Sequence, residues 1–149
     1  MRTTTATRLF AFLSLLLLGA GAAGANQQDF GDYVVYYNAF TTDVLAPEVA
    51  RTYDITRSKN RAMINISVQK KVMGTTGEAV DARIEGQAHN LSGQLKGMDL
   101  RRIEDGEAVY HIAEFSVADG ETLDFELNVS PEGVRETYQV RFRKQFFTR

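Results

Sequence analysis

The chain has no cysteine anywhere and only two histidines in 149 residues. Without cysteine there are no disulfides, no thiol redox chemistry and no thiolate metal site. A bacterial lipoprotein anchor, which needs a cysteine at its cleavage point, is excluded as well. His89 and His111 offer no spacing that brings together the three or four ligands zinc requires, so no metal is expected. The G-x-S-x-G elbow and the S-x-x-K pair are both missing, so nucleophilic catalysis has no local signature. The carboxylates alternate outward along strands, where water surrounds them, and do not form an acid/base pair. The chain reads as a non-enzyme.

What is present begins with a leader. Arg2 and Arg8 precede the uncharged apolar run Leu9 to Leu18, and Ala23-Gly24-Ala25 closes the segment with the small-x-small pattern of a signal peptidase site. The run is too short for a comfortable permanent span, and Asn26-Gln27-Gln28 follows it in place of a stop-transfer segment. Residues 1–25 are therefore expected to be a signal peptide cleaved after Ala25, with residues 26–149 forming one periplasmic domain. No second apolar stretch follows Pro131, so no stable membrane insertion is expected after cleavage. Gly19-Ala20-Gly21-Ala22-Ala23-Gly24 matches the dinucleotide fingerprint G-x-G-x-x-G. That fingerprint needs a strand before it and a helix opening at its third glycine, and Asn26 to Asp29 supplies neither, so no cofactor is expected. Losing Arg2 and Arg8 leaves 15 basic residues against 19 acidic ones. Nucleic acid rewards clustered positive charge, and it is not an expected partner.

The exported part alternates with period two almost throughout. Strands are expected over Asp32 to Phe40, Ala62 to Lys70, Val80 to His89, Leu95 to Ile103, Ala108 to Val117, Thr122 to Val129 and Val134 to Phe146. Asp32 to Phe40 is apolar on both faces and should be covered on both sides. Gly74-Thr75-Thr76-Gly77, Asp105-Gly106, Asp119-Gly120 and Pro131-Glu132-Gly133 supply turn chemistry. Pro47 to Tyr53 is the one helical candidate, with Pro47 at its first position and Glu48 in its first turn. Seven or so strands at this spacing predict an all-β, antiparallel immunoglobulin-like sandwich. The near-universal tight connections leave an up-and-down barrel as the alternative.

Candidate binding residues are those that break the core-and-surface pattern. Tyr36 and Asn38 sit in an apolar strand, and Asn65 interrupts Ile64 and Ile66; buried amides of this kind require hydrogen bonds. Arg57, Lys59 and Arg61 form a basic cluster after the helix. His89 and Asn90 end a polar strand face, and His111 lies on the face of Ala113, Phe115 and Val117, where it reads as a core residue.

Tyr37-Asn38-Ala39-Phe40, Pro47-Glu48-Val49-Ala50, Arg57-Ser58, Asn65-Ile66-Ser67-Val68 and Asn90-Leu91 together resemble a family of short exported proteobacterial proteins known as a domain of unknown function with an immunoglobulin-like fold. The resemblance implies a periplasmic β-sandwich and carries over no catalytic residue. The leading expectation is a module that binds a protein or cell-envelope component through a strand edge or loop cluster. Small-ligand or anion binding through Arg57, Lys59 and Arg61 is the second, and an enzyme the third.

Overall fold

The computed structural model describes residues 26–149; the leader expected over residues 1–25 lies outside the described residues. Ten strands run in the order β1 (Asn26–Asp29), β2 (Tyr33–Thr41), β3 (Arg61–Lys70), β4 (Glu78–Val80), β5 (Ala82–Asn90), β6 (Leu95–Lys96), β7 (Arg101–Asp105), β8 (Ala108–Ser116), β9 (Thr122–Pro131) and β10 (Tyr138–Gln145). A 3-10 turn (Thr42–Val44) and helix α1 (Pro47–Thr52) lie between β2 and β3. One sheet has the order β1-β2-β3-β8-β7, with β4 beside the end of β3; the other has the order β10-β9-β5-β6. Every pairing is antiparallel.

The row β2-β3-β8-β7 facing β10-β9-β5 reproduces the two-sheet strand order of an immunoglobulin domain. Those are the seven framework strands expected, and β1, β4 and β6 are short additions. Alternation explains the interior: Val35, Tyr37 and Ala39 of β2, Ile64, Ile66 and Val68 of β3, and Leu123, Phe125, Leu127 and Val129 of β9 all point into one buried core. Phe125 and Phe142 stack at 4.6 Å between centroids, Tyr37 meets Phe142 at 4.5 Å, and Phe115 and Phe146 close on Phe125 edgewise. Gly86 of β5 is small for a reason: a Cβ there would come within 2.9 Å of Leu127 Cδ2.

A second core lies on the outer face of the larger sheet. Met63, Tyr110 and Ile112 are covered there by Leu45, Val49, Ala50 and Ile55, with Phe40 packed alongside. This is why Met63 of β3 is buried on the outer face, while Ile64, Ile66 and Val68 are buried on the inner one. The helix ends in a Schellman arrangement. Asp54 takes φ 53°, Asp54 N–H donates to Arg51 O, and Ile55 N–H donates to Ala50 O. Thr42 fastens the segment after the helix: its buried hydroxyl donates to Thr56 O at 2.7 Å and accepts from Ser58 N–H at 2.9 Å.

Four expectations need correction. There is no up-and-down barrel, because β8 and β9 belong to different sheets and Asp119-Gly120 is a crossing between them, not a hairpin. Val80 and Ala82 do not share a strand: Val80 pairs with Val68 in one sheet and Ala82 with Pro131 in the other, with Asp81 at the switch. Leu95 to Ile103 is likewise split into β6 and β7 on opposite sheets. Met98 and Leu100 alternate like strand residues but fold over Gly86 and pack against the core. The last strand begins at Tyr138, not Val134, because Val134 N–H closes a turn onto Pro131 O.

Thr42→Val removes one hydroxyl and strands two main-chain groups of the 56–58 segment. Urea unfolding is expected to show a loss of about 1–3 kcal/mol with an unchanged denaturant slope. A loss near zero would mean that this hydroxyl does not hold the segment.

Candidate functional site

Five of the seven candidate residues gather at one end of the sandwich, though on different layers. Arg57 and Lys59 sit in the segment after α1, Arg61 opens β3, and His89 and Asn90 finish β5. Their cations are largely engaged internally. Arg57 Nη2 donates to Asp43 O at 2.9 Å, and Arg61 Nε lies 3.6 Å from Glu114 Oε1, which also accepts Thr56 N–H. Lys59 is exposed, and among the described residues it has no ion pair. The three cations therefore do not close around one anion.

Asn90 joins a different knot at the same end. Glu121 pairs with Lys96 Nζ at 2.7 Å and accepts Ala118 N–H at 2.8 Å, and Lys96 also donates to Ser116 O. Burial works to raise the Glu121 pKa, but the hydrogen bonds from Lys96, Ala118 N–H and the Asn90 side chain overcome it and hold the carboxyl low. His89 faces outward beside Asp124, at 3.9 Å, across the β5–β9 ladder. Arg143 grips the same Asp124 with two hydrogen bonds, 2.6 and 2.8 Å, and depresses its pKa. These side chains line a shallow hollow of about 350 Å³ together with Glu126 and Arg141. The outer face of this sheet is a mixed-charge surface.

Tyr36 and Asn38 lie away from that end, on the outer face of the larger sheet. Across the ladder Tyr36 opposes Ser67 and Asn38 opposes Asn65. The expectation that these amides pin neighbouring structure is not met: Asn65 Oδ1 is buried with no hydrogen-bond partner. Next to Tyr36, the 71–77 hairpin loop walls a trough of about 460 Å³ whose floor includes Val34, Tyr36 and Gln69. Arg57 does not join Tyr36 and Asn38, because its guanidinium is turned to Asp43 O.

A polar cluster between the sheets was not foreseen. His111 is buried, as its strand face implied, and its Nε2 lies 3.8 Å from Asp81 Oδ1. Arg102, opposite His111 on β7, binds Asp81 Oδ2 at 2.6 Å and Glu104 at 2.5 Å. No local pattern announces it, because Asp81 reaches His111 only through the sheet switch. Among the described residues no group of three or more His, Asp or Glu is arranged to hold a metal ion.

The model of a domain of unknown function, DUF4426, matches residues 27–149, which span the whole sandwich. The chain belongs to the DUF4426 family. A family protein from Pseudomonas aeruginosa PAO1 (PA0388) is similar in structure, with a TM-score of 0.72, 32% identity, and coverage of 85% of this chain and 97% of that one. FetP of uropathogenic Escherichia coli shares the fold at 8% identity, with a TM-score of 0.57 and coverage of 82% of this chain and 93% of FetP. A copper-bound variant of FetP matches equally well in score and identity. No curated protein matches the chain. Family membership brings the fold, and the chemistry rests on the side chains above.

Burial pushes the His111 pKa below 6.5; Asp81 opposes the shift and the Arg102 guanidinium adds to it. The unfolded chain then takes up the proton first, so this contribution is complete above about pH 6.5 and is lost as pH falls below it. Urea unfolding between pH 7.5 and 5.5 is expected to show declining stability, with a flatter profile in His111→Asn. Stability that is level or rising toward pH 5.5 in the parent chain would contradict this.

Proposed function

We propose that this protein is a non-catalytic binding module of the periplasm that accepts an extended segment of a partner protein along the free edge of β10. The carrying observation is the edge itself. β10 runs eight residues in unbroken register against β9, from Tyr138–Val129 to Gln145–Thr122, and among the described residues no strand pairs with its other side. The remaining edge strands, β1, β4, β6 and β7, have four, three, two and five residues.

Main-chain direction on β10 follows from its end. Phe146 N–H donates to Glu121 O and Phe146 O accepts Gly120 N–H, so Phe146 turns toward β9. By alternation Gln139, Arg141, Arg143 and Gln145 turn their N–H and C=O groups outward, ready for strand addition. Their side chains stand on the solvent face, and β10 contains no acidic residue. Two copies paired through this edge would set arginine against arginine, which is destabilising directly across a ladder. A partner segment with acidic side chains meets no such penalty, and Arg141 has no internal ion pair among the described residues. The predicted leader supports the compartment, as does the fold shared with FetP, which was obtained by expression in the periplasm.

Proline at an outward-facing position removes an N–H that the domain does not use. Arg141→Pro is expected to leave the melting temperature within about 5 °C of the parent. A photo-crosslinker replacing Gln139 in living cells is expected to give discrete protein adducts that Arg141→Pro abolishes, with none from a crosslinker replacing Glu85. Adducts common to both positions, adducts that survive Arg141→Pro, or none from position 139 would overturn the reading.

A further inference from the structure

The outer faces of the two sheets differ in kind. That of the β10-β9-β5 sheet carries charges of both signs, including Glu85, Asp124 and Arg143, as a solvated surface does. On the larger sheet, the part not covered by α1 presents Tyr36, Asn38, Asn65, Ser67 and Gln69 in adjoining rungs, all polar and none charged. Among the described residues none of these five side chains makes a hydrogen bond. Asn65 is only 4% exposed, and its Oδ1 is left unpaired, an arrangement that is unfavourable until a partner arrives. On the other sheet's outer ladder, by contrast, Arg83 pairs with Glu85 and Arg143 with Asp124.

The trough beside these residues has room for a ligand, about 460 Å³. Lys71 pairs with Asp29 at the rim, and Lys70, which also lines the trough, is left without an ion pair among the described residues. What remains is a half-buried phenol ring flanked by side-chain amides and a hydroxyl. Amides and hydroxyls donate and accept at once, which suits neighbouring hydroxyls on a ligand, and the ring offers an apolar face for C–H groups. Against the single cation Lys70 stand five uncharged polar side chains, which favour a neutral ligand over an anion. An added peptide strand would need main-chain groups, which a sheet face does not provide.

We infer that this trough and the polar rungs beside it bind neutral saccharide chains, with the Tyr36 ring as platform and Gln69 in the trough and Asn38 and Ser67 on the adjoining rungs hydrogen-bonding the sugar hydroxyls. This site is separate from the β10 edge, so Arg141→Pro is expected to leave it intact.

The test is a two-dimensional amide NMR titration of the mature chain with chitotetraose, cellotetraose and maltotetraose. Trigalacturonate and tetra-alanine serve as the anionic and peptide comparisons. The expected result is saturable shifts confined to residues 34–38, 65–69 and 71–77 for at least one neutral sugar, with Kd of about 1 mM or tighter. Tyr36→Ala is expected to weaken that binding about tenfold or more, and Tyr36→Phe, which keeps the ring, by less. Absence of shifts at about 10 mM of every neutral sugar, shifts located elsewhere, or preferential binding of trigalacturonate or tetra-alanine at the trough would each overturn the inference. Because Tyr36→Ala alters an exposed rung, its spectrum without sugar is compared first. If that variant is unfolded, Ser67→Ala takes its place under the same criteria.

Discussion

The two sheets are joined where Tyr37 of β2 and Phe115 of β8 meet Phe142 and Phe125, two rings that stack on one another across the β9–β10 ladder with 5° between their planes. Antibody domains brace the same place with a disulfide packed on tryptophan. This chain has neither residue, so ring packing and aliphatic burial bear the whole load. A buried aromatic or branched side chain contributes about 1.5–3 kcal/mol, and the clustered rings add to that by their edge-on and offset geometry. The dependence is strict. Because the sheets are held only by side chains pointing inward, every strand must keep its alternation, and the outward residues are left free to differ.

That freedom produces the functional contrast. On one side of the sandwich α1 and its flanking segment cover half of the outer face, which leaves a polar trough beside the 71–77 loop. On the other side the face is charged and open, and the sheet ends in β10 with no neighbour. Both features follow from where the chain switches sheets. The 71–77 loop joins β3 to the short β4 beside Tyr36 just before the crossing at Asp81, and the crossing at Asp119-Gly120 sends β9 and β10 together to the far edge.

The local half of this structure was legible. Strict alternation found six of the seven framework strands and part of the seventh, and the position of His111 on an apolar face foretold its burial. By contrast β2, expected to be covered on both sides, meets the second core only near Phe40 and leaves Tyr36 and Asn38 half-exposed on its outer face. Sheet membership was not legible, because it depends on partners distant in sequence. Met98 and Leu100 alternate as a strand would, yet they cap the interior over Gly86. Asp119-Gly120 has the chemistry of a hairpin and serves a crossing. The site residues divide along the same line. Tyr36 and Asn38 stood out because they are polar in an apolar strand. The pairing of Arg61 with Glu114, and the Asp81–Arg102–His111 cluster, arise only when separate strands meet.

Residue-resolved amide hydrogen exchange on the free mature chain tests the open edge most directly. The account expects a period-two record along β10: slow exchange at Val140, Phe142 and Lys144, and fast exchange at Gln139, Arg141, Arg143 and Gln145. Uniform protection along the strand would show the edge already occupied, by a second copy or another part of the chain, and would contradict it.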